Sequence, residues 1–179
     1  MNDIIVFSGR PDNNDMLPQE LAAYELLDNL GVQYSGIKHE AAATMDDCKK
    51  ADDALGVMMC KNLFLCNRQK TNFYLLLMPG DKEFHTKDIT KQLNCSRLSF
   101  AGEEFMKSLL GVTPGSVTVL GLMNDTENKV QLVIDEDVLK NEYFGCHPCI
   151  NTSSIKFLTA DLKEKILPYI KHDFITVTL

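Results

Sequence analysis

The sequence has 179 residues, of which 45% are hydrophobic and 24% charged, and it carries a formal net charge of −7. This length and composition are typical of one globular domain covering residues 1–179, and they exclude a disordered chain. No apolar run approaches the length needed to span a bilayer, so no transmembrane helix is expected.

The first ten residues lack the basic segment and the long apolar stretch of a secretion signal. Six cysteines without an export signal are expected to remain reduced thiols rather than form disulfides. We therefore expect a cytoplasmic protein.

The first part of the chain is expected to start with a helix. Pro18 favours a helix that continues to Leu30 and ends at Gly31. Residues 32–39 have the pattern of a strand, and Asp46 is suited to cap a short helix that reaches about Leu55.

A hairpin and a series of short elements follow. The apolar runs 63–66 and 73–78 enclose a polar turn, which is the pattern of a β-hairpin. Further strands are predicted at residues 116–122, 129–135, 143–147, 152–157 and 175–179. Further helices are predicted at residues 87–93, 102–110 and 135–140, and from a capping Thr159 to about Ile170. Since no regular βαβ alternation appears, we expect an α/β (α+β) fold with a mixed, largely antiparallel, barrel-like sheet surrounded by helices.

The basic residues are unevenly distributed. Residues 49–97 hold nine Lys and Arg and five acids, a balance of +4, which leaves −11 for the remainder. This asymmetry is compatible with one basic face for a phosphate backbone on an acidic body, and equally with ordinary scatter.

His147 lies in a segment that fixes the backbone, Gly-Cys-His-Pro-Cys-Ile-Asn at 145–151. Pro148 pushes the preceding residue towards extended geometry, and Gly145 permits a bend. A histidine held in this way is suited to a functional role; the alternative is a tight turn in which it only packs. Adjacent residues of an extended chain point to opposite faces, so Cys146 and His147 do not form a nucleophile–base pair. Cys146 and Cys149 have CxxC spacing, but zinc needs two more ligands and no second CxxC or HxxxH exists, so no metal site is predicted.

Two other segments are candidates for chemistry. Lys61 and Asn62 stand at the start of an apolar run, where a lysine can bury its stem and offer its ammonium to a cleft; a surface ion pair is the alternative. The segment Leu-Gly-Val-Thr-Pro-Gly-Ser-Val at 110–117 forms a tight loop. Such a loop can direct main-chain N–H groups at a carbonyl oxygen or an oxyanion, although a plain turn explains it as well.

Taken in order, these segments resemble the YbaK/ProX family of trans-editing aminoacyl-tRNA deacylases, which is related to the editing insertion of bacterial prolyl-tRNA synthetases. The matching segments are KNLFL at 61–65, GVTPGSV at 111–117, GLMND at 121–125, HP at 147–148, NT at 151–152 and LTADL at 158–162. The resemblance covers about residues 17–170 and is to the free-standing, ProX-type branch.

The resemblance implies the YbaK/aminoacyl-tRNA synthetase-associated domain fold and a set of site residues. Those implied for catalysis are Lys61, His147, Gly115 and Ser116. Those implied for substrate binding are Asn62, His39, Gly111, Pro114 and Asn151. No cofactor and no metal are implied.

The substrate implied by the resemblance is alanyl-tRNA(Pro), hydrolysed in trans for the fidelity of translation. The partners would be aminoacyl-tRNA, in particular tRNA(Pro), and prolyl-tRNA synthetase as a further candidate, with no membrane. Many relatives carry proline at the position of Val119, which leaves the stiffness of the loop and the size of the pocket open. Two alternatives stay open: a preference for cysteinyl-tRNA or another small aminoacyl ester, and a non-catalytic module that senses aminoacyl-tRNA or a free amino acid.

Overall fold

The computed structural model describes residues 4–12, 15–41 and 45–179, with only the backbone described at 45–47. Within these ranges the chain forms nine strands. They are β1 (Ile5–Ser8), β2 (Tyr34–Lys38), β3 (Lys61–Asn67), β4 (Phe73–Met78), β5 (Leu98–Phe100), β6 (Val130–Asp135), β7 (Tyr143–Cys146), β8 (Ser153–Leu158) and β9 (Phe174–Val177).

The strands form two sheets. The first has the order β1-β2-β8-β7 and is antiparallel throughout. The second has the order β5-β3-β4-β6-β9, in which β5, β3 and β4 are antiparallel and β4, β6 and β9 are parallel. The predicted mixed, largely antiparallel architecture is confirmed. The predicted barrel is not, because neither sheet of described strands closes on itself; the two sheets meet at an isolated parallel bridge between Met59 and Gly145.

The helices surround these sheets, and most of them are short. They are α1 (Pro18–Asn29), α2 (Met45–Leu55), α3 (Thr86–Gln92), α4 (Glu103–Phe105), α5 (Glu136–Lys140), α6 (Thr159–Asp161) and α7 (Leu167–Tyr169). A π-helical turn, Met106–Leu110, extends α4, and a second, Leu162–Ile166, joins α6 to α7. A 3-10 helix covers Val119–Asn124. In the described part of the chain, none of these helices has the length and apolar character needed to span a bilayer.

The main core lies between α1 and the two sheets. Tyr24 and Leu27 of α1 are fully buried there, beside Ile155 of β8 and Leu75 of β4. Full burial of a leucine side chain stabilises the fold by about 1.5–3 kcal/mol. The prediction for α1 is confirmed: Pro18 is its first residue, and Gly31, with φ +62°, follows its end. A second cluster covers the other face of β3, β4 and β6, and a third packs α2 against the first sheet through Ile37, Ala51 and Leu55.

The predicted hairpin is confirmed as β3 and β4, but other details differ from expectation. The predicted strand 116–122 is wrong, because Thr118 caps a 3-10 helix by accepting from the Leu120 N–H, and Gly121 packs against Leu110. Thr159 does not cap the last helix; it is the first residue of α6, and its buried hydroxyl has no partner among the described residues. The side chain of Asp46 lies outside the described part of the chain. The strands β1 and β5 were not predicted.

Candidate active site

A cleft of about 360 Å³ lies between α2 and the adjoining ends of the two sheets. It is lined by Lys61 at the start of β3, His39 just after β2, His147 just after β7 and Ser154 in β8. Its remaining wall is largely apolar and includes Ala51, Met58, Met59 and Cys60. We call this the helix-side cleft.

The tautomer of His147 is fixed by a main-chain neighbour. Its Nδ1 lies 2.8 Å from the carbonyl oxygen of Ser153, and a carbonyl can only accept, so Nδ1 carries the hydrogen. Burial lowers the pKa of His147 from its usual 6.5, and the neighbouring His39 lowers it further. His147 is therefore held as a neutral imidazole whose Nε2 keeps its lone pair.

A second histidine is oriented in the same way. His39 is buried, and its Nδ1 donates to the carbonyl oxygen of Glu40 at 2.8 Å. The Ser154 hydroxyl then donates to His39 Nε2 at 2.8 Å, and its oxygen faces His147 Nδ1 at 3.5 Å. Ser154 thus connects the two imidazoles, whose ring centroids are 6.4 Å apart. Ser154 was not predicted, because it belongs to no motif.

Lys61 is half-buried and points into the helix-side cleft. Its Nζ donates to the main-chain carbonyl oxygen of Lys82 at 2.6 Å. Asp52 and Asp81 also line this cleft. Neither of them, nor any other described carboxylate, forms an ion pair with Lys61, so its ammonium is free to contact an anionic group.

A second cavity, of about 280 Å³, lies along the edge of β3. Its lining includes Asn62, Phe100, Pro114 and Gly115. Adjacent residues of a strand face opposite sides, so Lys61 and Asn62 serve different cavities. Cys60 and His147 line both. We call this second space the edge cavity, and His147 stands at the junction between it and the helix-side cleft.

The loop beside the edge cavity is a tight turn. Pro114 and Gly115 occupy its centre, Gly115 has φ +86°, and the Ser116 N–H donates to the Thr113 carbonyl at 3.0 Å. This is the residue pattern of a type II turn. Ser116 is buried, and its hydroxyl also bonds within the turn to Thr113, so neither group is free to contact a substrate. The Gly115 N–H has no acceptor among the described residues, so this loop offers Gly115 rather than Ser116 as a main-chain donor.

The remaining residues of the expected site have different positions. Asn151 lies behind the turn, where its Nδ2 would be 3.5 Å from a Cβ placed on Gly115. Gly111 ends the π-helical turn after α4 with φ +65° and lines neither cavity; a Cβ there would lie 2.7 Å from Asn124 Nδ2. Val119 is fully buried at the start of the 3-10 helix and does not line the edge cavity.

The cysteines of the CxxC segment are buried thiols. Burial raises the pKa of Cys149 to about 12 and that of Cys146 further. The described residues contain no group of three or more His, Cys, Asp and Glu side chains placed to hold a metal ion.

His172 lines neither cavity. It is buried, its Nε2 lies 3.2 Å from Asp125 Oδ2, and its Nδ1 contacts the Ile170 carbonyl. His172 and Asp125 therefore form a buried pair that is separate from the helix-side cleft.

The basic residues of the stretch 49–97 are spread over several elements. Lys49 and Lys61 line the helix-side cleft, whereas Arg68 and Lys70 lie at the turn between β3 and β4. A strand of seven residues separates these two groups by roughly 20 Å. Lys82 is held in ion pairs with Asp135 and Asp137. Of the basic residues in this stretch, Lys49 and Lys61 are the ones that line the helix-side cleft.

The comparison with known families agrees with this geometry. The model of the aminoacyl-tRNA editing domain matches residues 39–165, which include both cavities. The chain belongs to the aminoacyl-tRNA editing domain family. The match begins at His39 and contains Lys61, Gly115 and His147.

Individual relatives are similar over most of their length. The chain is 29% identical to the prolyl-tRNA editing protein ProX of Acetoanaerobium sticklandii, over 79% of this chain and 85% of that protein. It is 32% identical to the prolyl-tRNA synthetase associated domain-containing protein 1 of Xenopus laevis, over 78% of this chain and 83% of that protein. A solved structure of a candidate trans-editing enzyme for prolyl tRNA synthetase has a TM-score of 0.66 at 16% identity, covering 92% of this chain and 99% of that one, which shows the shared fold.

Proposed function

We propose that this chain, as a single editing domain over residues 1–179, hydrolyses in trans the ester that joins alanine to tRNA(Pro). The observation that carries the proposal is the junction at His147. There an unprotonated imidazole nitrogen stands between a cleft whose lysine makes no ion pair in the described part of the chain and a cavity with an unused main-chain donor. Membership of the editing-domain family and the name of the prolyl-tRNA editing relative support tRNA(Pro) as the RNA, and the choice of alanine rests on the lining of the helix-side cleft.

The reaction needs a base, an oxyanion donor and an anchor for the RNA, and the junction can supply all three. Water, held by His147 Nε2, attacks the carbonyl carbon and gives its proton to that nitrogen. The bond from the carbonyl carbon to the ribose oxygen then breaks, and the imidazolium returns the proton to the ribose oxygen. General acid–base catalysis of this kind contributes about 10²–10⁴ in rate.

Gly115 and Lys61 act on the charges of the substrate. The Gly115 N–H donates to the oxygen that becomes negative during attack, and one donor at an oxyanion contributes about 10²–10³ in rate. The Lys61 ammonium binds a phosphate near the end of the RNA, where a flexible lysine is a suitable point charge.

The lining of the helix-side cleft fits a small apolar side chain. Ala51, Met58 and Met59 give it an apolar wall, and α2 limits its width. A synthetase separates small apolar amino acids weakly, because one methylene changes binding by only about 1–3 kcal/mol. A second site that admits alanine and excludes the larger proline ring can hydrolyse the mischarged alanyl-tRNA(Pro) and leave prolyl-tRNA(Pro) intact.

The test is hydrolysis of tRNA(Pro) charged separately with alanine, cysteine, serine and proline, by the wild type and by Lys61→Ala. Rapid loss of alanine alone, much slower in the variant, is the expected result. Loss of cysteine or serine instead would retain ester hydrolysis and change the substrate. Binding of alanyl-tRNA without any loss of alanine would overturn the proposal in favour of a sensing module. The assay is run without prolyl-tRNA synthetase.

A further inference from the structure

Among the described strands, none covers the edge of β3 at Asn62. The Asn67 N–H donates to the Asn72 carbonyl, so the odd-numbered residues of β3 direct their main-chain groups to β4. The even-numbered residues face the other way: Cys60 N–H donates to the Gly145 carbonyl at 3.3 Å, and the Phe64 carbonyl accepts from Ala101 at 2.9 Å. Asn62 lies between these two contacts.

The main chain of Asn62 therefore opens on the edge cavity. Neighbouring β5 pairs only with residues 65–67, and the chain turns away into α4 after Ala101. Neither the N–H nor the carbonyl of Asn62 has a partner among the described residues. In an antiparallel strand these two groups of one residue point to the same side, so they form a donor and acceptor pair.

The Asn62 side chain keeps the opening in place. Its Nδ2 donates to the Cys60 carbonyl at 2.9 Å and so covers the next main-chain acceptor along the edge. Its Oδ1 is buried without a hydrogen-bond partner among the described residues. A buried acceptor that lacks a donor costs stability, and it indicates a place where a ligand can supply one.

An exposed aromatic ring stands beside the same cavity. Phe100 ends β5, is 63% exposed and lines the edge cavity with Gly115 and His147. The ring of Phe84, 5.9 Å away between centroids and inclined at 59°, supports it from the side. One face of Phe100 is thus available for stacking.

We infer that the edge cavity binds a purine base, the adenine of the terminal adenosine of the RNA, with Phe100 stacked on the ring and the Asn62 main chain reading its edge. Adenine presents an amino donor beside the N7 acceptor, which matches the Asn62 carbonyl and N–H. Stacking on an aromatic side chain is the usual way in which proteins hold an unpaired base. This inference rests on the proposed function, because it places the adenosine in one cavity and its aminoacyl group in the other, with His147 between them.

The first test uses two synthetic ligands, 3′-alanylamido-3′-deoxyadenosine and the corresponding inosine compound, titrated into the full chain and followed by NMR. Inosine carries a carbonyl oxygen in place of the amino donor, so two hydrogen-bond acceptors would face each other at the Asn62 carbonyl. We expect the adenosine compound to bind about tenfold more tightly, as the loss of one matched hydrogen bond and the resulting unpaired group imply. Equal binding of the two compounds would overturn the reading by Asn62.

The second test compares Phe100→Ala and Phe100→Tyr with Tyr169→Ala, which removes a similarly exposed ring (61% against 63%) that lines neither cavity. Phe100→Ala should weaken binding of the adenosine compound on the order of tenfold, while Phe100→Tyr and Tyr169→Ala stay close to wild type. Unchanged binding by Phe100→Ala would overturn the stacking site. Because both tests measure binding, they are decided independently of whether the wild type hydrolyses alanyl-tRNA, which tests the proposed function.

Discussion

The ammonium of Lys61 donates to the main-chain carbonyl of Lys82 at 2.6 Å, and the side chain of Lys82 is itself anchored. Lys82 Nζ contacts both carboxylate oxygens of fully buried Asp135, at 3.1 and 2.9 Å, and Asp137 at 2.6 Å. These contacts raise the pKa of Lys82 against the effect of its burial, so the lysine stays charged. The turn that positions Lys61 is therefore attached to the start of α5.

Replacing Lys82 by alanine should reduce both stability and activity. The change leaves the buried carboxylate of Asp135 without its cation and releases the turn after β4. We expect a loss of about 1–3 kcal/mol in the free energy of unfolding, the cost of an unpaired buried group. We also expect a higher KM for alanyl-tRNA, because Lys61 is no longer held at the cleft.

Lys140→Ala is the matched control. Lys140 also pairs with Asp137, at 2.7 Å, but its side chain is 63% exposed, and an exposed pair contributes at most about 1 kcal/mol. Urea unfolding and steady-state kinetics of both variants separate the two effects. A Lys82→Ala protein with wild-type KM would show that the turn does not position Lys61.

Ser154 and Ser153 are neighbours that are both buried but face opposite sides of β8. The Ser154 hydroxyl connects His39 and His147, whereas the Ser153 hydroxyl donates to the Ile37 carbonyl and contacts Tyr24 in the core. Each serine to alanine change should cost about 1–3 kcal/mol, because it leaves a buried partner unpaired. Only Ser154→Ala should lower kcat, and equal kcat values for the two stable variants would exclude a role for the hydroxyl bridge.

Gly115→Ala should impair hydrolysis beyond its effect on stability. Gly115 and Gly31 both have positive φ, +86° and +62°, so an alanine at either position is strained by about 1–2 kcal/mol. A Cβ on Gly31 meets no atom within 4 Å, and Gly31 lines neither cavity, so Gly31→Ala reports the strain alone. The two variants should have similar thermal unfolding temperatures, while kcat/KM should fall only for Gly115→Ala. Equal kcat/KM values for the two variants would contradict a role for this turn in catalysis.

Acidity should affect stability and activity through His147. Burial, reinforced by His39, lowers the pKa of His147 below 6.5 in the folded state, so the unfolded chain binds this proton more readily. The stability contributed by the neutral ring is complete above pH 6.5 and is lost as the pH falls from there towards the folded-state pKa. The acid limb of kcat/KM should therefore lie below pH 6.5, and a limb at or above this value would contradict the neutral ring.

Local patterns in the sequence predict the elements that carry the site better than they predict the way those elements meet. The positions of Lys61 and His147 follow from an apolar run and from Pro148, because both signals act within a few residues. The bridge from Met59 to Gly145, which brings β3 beside β7, joins segments far apart in the chain, and no local pattern contains it. The expectation of a barrel failed for the same reason, because the residues of a strand do not identify the strands that pair with it.

The errors within the site also have physical causes. The run Val-Thr-Val-Leu at 117–120 has the composition of a strand, but the Thr118 cap and the close packing of Gly121 against Leu110 favour a 3-10 helix. Ser116 was expected to offer an amide to the substrate, yet the turn itself uses that N–H. Ser154 carries no signal of its own, because its role depends on two histidines that come from other strands.

The most direct test of the account is single-turnover hydrolysis of alanyl-tRNA(Pro) by the wild type and by His147→Asn. The asparagine amide can still donate to the Ser153 carbonyl, as Nδ1 of His147 does at 2.8 Å, but it has no basic nitrogen for the junction. We expect rapid hydrolysis by the wild type and a rate about 10²–10⁴ lower in the variant, with similar unfolding midpoints. Hydrolysis at the wild-type rate by His147→Asn would contradict it.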